Sequence, residues 1–190
     1  SRSRSRNDFA RARELLASLP ASSIDTEEQQ AVLFTQEGNY QEAEKLWEHK
    51  VLEGVTKIQT GLIYMMEIAV KEGRPEDARF FANLYEQISK LFYVTQWIPY
   101  NAKLQLSVLE QDKTSCLLAL RSMLSAMKEI WKPQDSPLYR HLDGGETNTF
   151  SEWVSSSIRE DLQKGEEFAF FRESPEYQQL LGEFPALSAP

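Results

Sequence analysis

The sequence predicts an all-α fold in which antiparallel helix hairpins stack into a right-handed superhelix that ends in a C-terminal helical cap. Three observations lead to this fold class. Apolar residues recur at helical spacing, the predicted helices begin and end at capping and stop residues separated by short gaps, and one short pattern recurs along the chain. The 190 residues are enough for one domain with a substantial core or for one elongated array.

The helical periodicity extends from residue 8 to about residue 131. Stripes of this kind bury one face of each helix and leave the rest to solvent. Because no comparable run alternates with a period of two, we expect no sheet. The three clearest stripes are Val55, Ile58, Leu62, Met65, Met66 and Ala69; Ala78, Phe81, Ala82, Tyr85, Ile88 and Phe92; and Leu117, Leu120, Leu124, Met127 and Trp131.

The residues between the stripes have the chemistry of helix ends. Glycine in Gly38-Asn39 and in Gly73-Arg74-Pro75 accepts the left-handed conformation that follows a helix, and Pro75 suits the first turn of the next one. Gaps of a few residues make successive helices antiparallel neighbours. Capping chemistry predicts further helix starts at Asp25 with Glu28, at Thr149 with Glu152, and at Ser174-Pro175.

One pattern recurs: a turn, a bulky residue or proline, two spacers and a small residue. It occupies residues 7–12, 38–43 and 73–78, with a weaker copy at 111–116, and its small residues lie 31, 35 and 38 positions apart. Periods of this length with two helices each are typical of a helical-hairpin solenoid. We expect the small residues where the second helix of a hairpin crosses the first, since larger side chains would separate the two axes. They are Ala12, Ala43, Ala78 and Cys116.

These copies resemble the tetratricopeptide repeat, whose hairpin turn and second helix read Gly-Asp/Asn-Tyr-x-x-Ala. Residues 38–43 match closely and are followed by Trp47 at the next large aromatic position, whereas Pro75 replaces the aromatic residue in the copy at 73–78. Glu27 and Gln30 depart from the first-helix pattern. The resemblance covers residues 7–131. We therefore divide the chain into a disordered linker remnant (1–6), tetratricopeptide-like repeats (7–131) and C-terminal capping helices (132–190).

Composition excludes several classes of function. A net charge of −8 argues against nucleic-acid binding by the whole chain, because neutralising phosphates requires an excess of Lys and Arg. One cysteine rules out an internal disulfide framework, and two histidines leave little material for metal or triad chemistry. No apolar run approaches the roughly 20 residues of a membrane span. The sequence thus predicts a soluble cytoplasmic protein without membrane contact.

The candidate chemical groups point to structural roles. We expect Cys116 to pack in the core, because no His or Lys adjoins it. His49 and Glu53 share a helix face but are only two ligands, and His141 near Asp143 has no nucleophile pattern beside it. The glycine pair 144–145 lacks the Lys-Ser/Thr of a phosphate-binding loop. The sequence therefore predicts no enzyme, no metal and no cofactor.

Four aromatic residues flank one predicted hairpin junction: Phe92, Tyr93, Trp97 and Tyr100. Sealing of two repeats against each other is the favoured interpretation, and a ligand pocket is the alternative.

A solenoid presents a concave face that is built from the first helix of each hairpin. By resemblance to tetratricopeptide arrays, the inward residues include Glu28, Val32, Val70 and Val108, and the ligand-binding candidates are Gln36, Ile63, Glu67, Lys71, Asn101 and Gln105. Asn101 and Gln105 stand out because amides can both donate to and accept from a peptide backbone, on a helix expected to bury Leu104 and Leu109. An ordinary solvent-facing polar stripe is the alternative.

The order of features is also similar to the C-terminal repeat region of bacterial helix-turn-helix regulators of the XRE type. The residues that carry this resemblance are Arg-Ala-Arg-Glu-Leu-Leu-Ala-Ser-Leu-Pro at 11–20, Ile-Gln-Thr-Gly-Leu at 58–62, Ala-Val-Lys-Glu-Gly-Arg-Pro-Glu-Asp-Ala at 69–78 and Leu-Tyr-Arg-His-Leu at 138–142. In such proteins the repeat region dimerises and in some members binds a signalling peptide, while an N-terminal domain binds operator DNA.

This resemblance implies a non-catalytic regulatory domain that binds a protein or peptide, forms a homodimer and reaches DNA only through an upstream domain absent here. The first thirteen residues carry a net charge of +4, which leaves −12 on the rest and fits a linker end near such a domain. The aromatic residues Trp153, Phe168, Phe170 and Phe171 are many for a short cap and also predict self-association. A stand-alone adaptor for protein–protein interaction is the alternative.

Overall fold

A computed structural model describes residues 9–12, 14–15, 26–142, 162 and 164–183. Over these residues the chain is helical and contains no strand, so the all-α prediction is confirmed. The predicted linker remnant, the caps at Asp25 and Thr149, and the candidate residues Asp143, Gly144, Gly145 and Trp153 lie outside the described residues.

The described residues contain six α-helices, and short turns join the first five. They are α1 (Thr26–Glu37), α2 (Tyr40–Lys71), α3 (Pro75–Leu91), α4 (Asn101–Leu109), α5 (Lys113–Met127) and α6 (Pro175–Glu183). Single 3₁₀ turns cover Ile98–Tyr100, Pro133–Asp135 and Glu166–Phe168. None of the helices among the described residues combines the length and apolar character that a bilayer crossing requires.

The chain divides into two compact units. The first contains Ser1–Gly54 and Gln134–Leu142, and the second contains Val55–Pro133 and Asp143–Pro190. The division falls inside both the predicted repeat region and the predicted cap, whose boundaries therefore remain predictions.

Helix α2 is a single element of 32 residues. The repeat pattern divides this stretch between the second helix of one hairpin and the first helix of the next, but nothing in it stops a helix. It contains no proline, and Gly54 and Gly61 both lie within the helix. An interior glycine costs about 1 kcal/mol relative to alanine without removing a hydrogen bond, so the helix continues.

The predicted helix stops at Gly38 and Gly73 are confirmed. Both have left-handed backbone angles, with φ of 79° and 69°. At the second stop the Gly73 amide donates to the Val70 carbonyl at 3.1 Å, and the Arg74 amide donates to the Ala69 carbonyl at 2.8 Å. This pair of bonds is the Schellman motif, which satisfies the last carbonyls of a helix.

Two further helices end in the same motif around residues other than glycine. Tyr93 follows α3 with φ of 49°, and Gln111 follows α4 with φ of 54°. Both pairs of motif bonds are formed at each end. Asp112 then caps α5, since its carboxylate accepts from the amides of Thr114 at 3.1 Å and Ser115 at 3.2 Å.

Three of the four small residues of the recurring pattern lie in the interior, as predicted. Ala43, Ala78 and Cys116 are buried, and Ala12 is half-buried. Ala78 at the start of α3 belongs to the same core cluster as Met66 and Ala69 of α2. A small side chain there allows the two helix axes to approach closely.

The second unit has two core clusters. One contains Leu62, Met66, Ala69, Ala78, Ala82, Tyr85, Ala102 and Leu106; the other contains Leu104, Cys116, Ala119, Leu120, Met123, Leu124, Leu162, Phe168, Phe171, Tyr177 and Leu180. The predicted stripe of 55–70 is partly wrong. Val55 is buried, but Ile58 and Met65 are 50% and 48% exposed, because they lie at the edge of the face of α2 that the core residues occupy.

Candidate ligand groove

A cavity of about 460 Å³ lies beside α4 in the second unit. Its volume is within the range of roughly 300–1,000 Å³ that is common for ligand sites. Five of its residues are contributed by α4, and the others come from α2, α5 and the turns around Trp97 and Phe168. The described lining consists of Glu67, Trp97, Asn101, Leu104, Gln105, Val108, Leu109, Met123, Glu167 and Phe168. We call this cavity the α4 groove.

Three of the six predicted ligand-binding residues line this groove together. Asn101 and Gln105 are four positions apart on α4, so they share a helix face. Glu67 on α2 lines the same cavity, although 34 positions separate it from Asn101. Val108, which was also predicted to point inward, completes this side.

The other three predicted residues do not line the groove. Ile63 is half-buried and packs against the core between α2 and α3, so its side chain is used in packing. Lys71 is exposed at the last position of α2. Gln36 is exposed near the end of α1, in the first unit. Glu28 and Val32 are likewise exposed on α1, and Val70 packs against the same core as Ile63.

The two amides of the groove are hydrogen-bonded to each other. Gln105 Nε2 donates to Asn101 Oδ1 at 3.3 Å. Burial raises the pKa of the Tyr85 hydroxyl, and a hydrogen bond with Asn101 opposes that rise. Asn101 is therefore held from two sides. Each side-chain amide has two donors and two acceptor lone pairs, so the pair retains capacity for a ligand backbone.

Several lining residues were not predicted as part of a site. Leu104 is buried as expected, but Leu109 is 42% exposed, and the prediction that it is buried is wrong. Leu109 lies on the face of α4 that lines the groove, and not on the face that packs in the core. Glu167 and Phe168 were assigned to a terminal cap, and no local pattern in the sequence indicates that their turn reaches α4.

The aromatic residues around the hairpin junction have divided roles. Trp97 and Tyr100 pack against the larger core cluster, while sealing of two repeats stays a prediction. Trp97 also lines the α4 groove, while Tyr93 and Tyr100 line a separate cavity of about 500 Å³. The Tyr93 carbonyl accepts a hydrogen bond from Trp131 Nε1 at 3.0 Å, which helps to hold the left-handed residue in place.

The two histidines have different surroundings. In the first unit, His141 Nδ1 lies 2.8 Å from Glu48 Oε1, and the His141 amide donates to Glu48 Oε2 at 2.9 Å. Glu48 is only 7% exposed, so this pair secures residues 134–142 to α2. His49 is exposed, and its neighbour Glu53 is paired with Lys50. No described group of three or more His, Cys, Asp or Glu is placed to hold a metal ion.

The buried thiol belongs to the core, as predicted. Burial raises the pKa of Cys116 to about 11, although a hydrogen bond with Ser107 acts in the opposite direction. A thiol in this state is neither a nucleophile nor a metal ligand at neutral pH.

The aromatic residues near the C-terminus are also used internally. Phe168 and Phe171 are buried, and Phe171 packs edge-on against Tyr177 with ring centroids 4.6 Å apart. Phe170 packs against the same core cluster. Phe168 and Phe171 therefore belong to the chain's own core, while Trp153 lies outside the described residues, and self-association stays a prediction.

Comparisons with known proteins give no relative. No family model matches the chain, and neither a curated protein nor a solved structure is significantly similar to it.

Proposed function

We propose that this chain is a non-catalytic binding domain whose α4 groove takes an extended peptide segment of a protein or a signalling peptide. The observation that carries the proposal is the convergence of Glu67, Asn101 and Gln105 with apolar side chains in one cavity of about 460 Å³. A mainly apolar lining with a few convergent polar groups is typical of a binding site.

The state of the reactive groups supports binding rather than catalysis. The Cys116 thiol has a raised pKa and is buried. His141 forms a hydrogen bond with Glu48, and neither His141 nor Cys116 lines the groove. Amides and carboxylates, which recognise ligands through hydrogen bonds and charge, are the polar groups that remain.

The wider role follows the resemblance to XRE-type regulators. We propose that the chain is the cytoplasmic regulatory part of a bacterial transcriptional regulator, with tetratricopeptide-like hairpins and a DNA-binding domain upstream. Occupancy of the groove would shift the population of dimer geometries and respace two DNA-binding heads. A stand-alone adaptor is the second candidate. A native reading frame without a helix-turn-helix segment would favour the adaptor.

We also propose that the chain forms a homodimer, and we place the interface on α2 instead of the terminal aromatic residues. Ile58, Met65 and Ile68 are each about half exposed, and Gly61 lies between them with open space beside its Cα. Their spacing of three, four and three residues makes one apolar stripe along the helix. We call these four residues the α2 stripe.

The groove proposal is tested by titrating the chain with a pool of end-capped hexapeptides of randomised sequence. Binding is followed by NMR through the side-chain amide signals of Asn101 and Gln105. We expect these signals to shift, and we expect Gln105→Ala to weaken binding by about fivefold, since one charge-neutral hydrogen bond contributes about 1 kcal/mol.

Gln87→Ala is the matched control, because Gln87 is exposed on α3 and does not line the groove. Gln105→Ala is a sharper test than Asn101→Ala, since Asn101 also holds Tyr85. Thermal unfolding of both variants verifies that they fold. Equal affinity of Gln105→Ala and wild type, or unmoved amide signals at saturating pool, would reject the groove as the site.

A further inference from the structure

We propose that the α4 groove selects a peptide segment in which a cationic side chain, Lys or Arg, stands beside a large apolar side chain. This inference rests on the binding function proposed above and adds the chemistry of the ligand.

The charge of the groove is the first argument. Glu67 and Glu167 both line it, and none of its described lining residues is Lys, Arg or His. Two other cavities of this unit are lined by cations: Lys90 lines one, and Arg79 and Lys103 line the other. The α4 groove is thus the cavity among these three whose charged lining is acidic alone.

The pairing of the acidic residues is the second argument. Around the other cavities, Glu86 is paired with Lys90 at 2.6 Å and with Lys103 at 2.5 Å. Glu110 is similarly placed, 3.6 Å from Arg79. Neither groove carboxylate forms an ion pair with a side chain that the structure describes. Two carboxylates at one concave surface repel each other and attract a cation, which a ligand would supply.

The apolar wall is the third argument. Leu109 and Val108 of α4 face the cavity together with Met123 and Phe168, and Leu109 has 42% of its surface exposed. An apolar side chain of a ligand would cover this surface. The Trp97 ring lines the same cavity and favours a cation over its face.

The amide pair favours a peptide over a simple amine. Asn101 and Gln105 are four residues apart and joined side chain to side chain at 3.3 Å. They offer donors and acceptors that match an extended backbone, which a simple amine lacks.

Three pools of end-capped hexapeptides test the inference on the full chain. Their fixed centres are Leu-Arg-Leu, Leu-citrulline-Leu and Leu-Glu-Leu, with the remaining positions randomised. Citrulline keeps the shape of arginine without its charge. We expect the arginine pool to bind about fivefold to tenfold more tightly than the citrulline pool, with the glutamate pool weakest, and the difference to shrink at high salt.

Glu67→Gln and Glu167→Gln identify the source of the preference. Each should lower the arginine-to-citrulline affinity ratio by about threefold, because each removes one of the two negative charges that face the cation. Glu173→Gln is the matched control, because it removes the same charge from an exposed residue that does not line the groove.

The possible results separate the two proposals. If the pools bind equally and Gln105→Ala weakens them all, the groove binds peptides but the charge preference is refuted. If no pool shifts the signals of Asn101 and Gln105, the binding function itself is rejected. A preference for arginine that survives both glutamate variants would also overturn the assignment of Glu67 and Glu167.

Discussion

The Cys116 thiol is fully buried, and burial raises its pKa to about 11. At pH 8 we therefore expect a thiol reagent to leave Cys116 unmodified in the folded protein and to label it completely in denaturant, because the thiolate is the reactive form. Absorbance of the released reagent group measures the extent. Stoichiometric labelling of the folded chain within minutes would contradict this placement.

The same shift fixes the direction of a pH effect. The unfolded thiol ionises near its ordinary pKa of 9.0, while the folded thiol keeps its proton to about 11. Stability from this group is therefore complete below pH 9 and declines as pH rises toward 11. At pH 10 the difference in unfolding free energy between wild type and Cys116→Ala should be about 1 kcal/mol smaller than at pH 8.

Gln111 occupies a left-handed position, with φ of 54°, at the end of α4. An L-residue with a Cβ pays about 1 kcal/mol there, and glycine pays much less. We expect Gln111→Gly to raise the unfolding free energy by up to about 1 kcal/mol, measured by urea denaturation. Gly73→Ala, at the equivalent position after α2 with φ of 69°, should lower it. A destabilised Gln111→Gly would show that the side chain contributes more than the strain costs.

Local chemistry explains how well single positions could be predicted. Glycine after a predicted helix indicates a left-handed backbone conformation, so the helix stops at Gly38 and Gly73 could be predicted from the sequence. Tyr93 and Gln111 adopt the same conformation without that signal, because the motif hydrogen bonds and the following turn outweigh the steric cost. The burial of Ala43, Ala78 and Cys116 followed from the recurrence of small residues at one place in the pattern.

At the scale of elements, a buried polar contact joins α2 to α3. Gln59 Nε2 donates to Ser89 Oγ at 2.7 Å, and Ser89 Oγ donates to the Tyr85 carbonyl at 2.7 Å. Ser89→Ala would leave a Gln59 donor without this acceptor, at a cost of about 1–3 kcal/mol of unfolding free energy. Thermal denaturation measures this cost. Ser125→Ala is the control, because Ser125 is an exposed serine on α5.

A second variant separates the lost hydrogen bond from lost packing. In Gln59→Leu/Ser89→Ala both polar partners are removed, so we expect stability to recover to within about 1 kcal/mol of wild type. If the double variant is as unstable as the sum of its single variants, the contact is not energetically coupled and our account of it fails.

The contact between His141 and Glu48 connects residues 134–142 to α2. Removing the imidazole leaves the Glu48 carboxylate, 7% exposed, with fewer partners, which costs about 2–3 kcal/mol. We expect His141→Ala to lower the midpoint of thermal unfolding and to speed proteolytic cleavage within 134–142. His49→Ala should leave both unchanged, because His49 is exposed. Equal behaviour of the two variants would mean that the pair contributes no net stability.

The lengths of elements were predictable only where a stop residue stands in the sequence. The start of α3 at Pro75 and the end of α1 before Gly38 agree with the prediction. The repeat pattern suggested a change of direction within 40–71, yet α2 continues because Gly54 and Gly61 fit inside a helix. The repeat spacing predicts where the pattern at 38–43 and 73–78 places turns. It does not by itself require another turn between those two copies.

For the molecule as a whole, the unpredicted part of the candidate site comes from distant segments. The α4 half of the groove was predictable, because Asn101 and Gln105 are polar at helical spacing beside Leu104. Glu167 and Phe168 could not be predicted, since their place beside α4 is set by the core that Phe168 and Phe171 form with α5 and α6. Long-range packing of this kind leaves no short pattern in one sequence.

The α2 stripe carries the last prediction, on assembly. In a two-fold antiparallel pairing centred at position 63, Ile58 faces the partner's Ile68, and Gly61 faces the partner's Met65. The space beside Gly61 would then admit the long methionine side chain. We expect light scattering across a dilution series to give a mass approaching twice 21.9 kDa at high concentration.

Met65→Lys/Ile68→Lys should keep the chain at 21.9 kDa throughout that series, because two charges would be buried opposite apolar partners. Leu118→Lys is the control, since Leu118 is an exposed apolar residue on α5, away from the stripe. Lysine is well tolerated on a helix surface, so circular dichroism should show all variants folded. A wild-type chain that stays at 21.9 kDa would refute the dimer. If the double variant still forms a dimer, the proposed interface on α2 is refuted but the dimer is not.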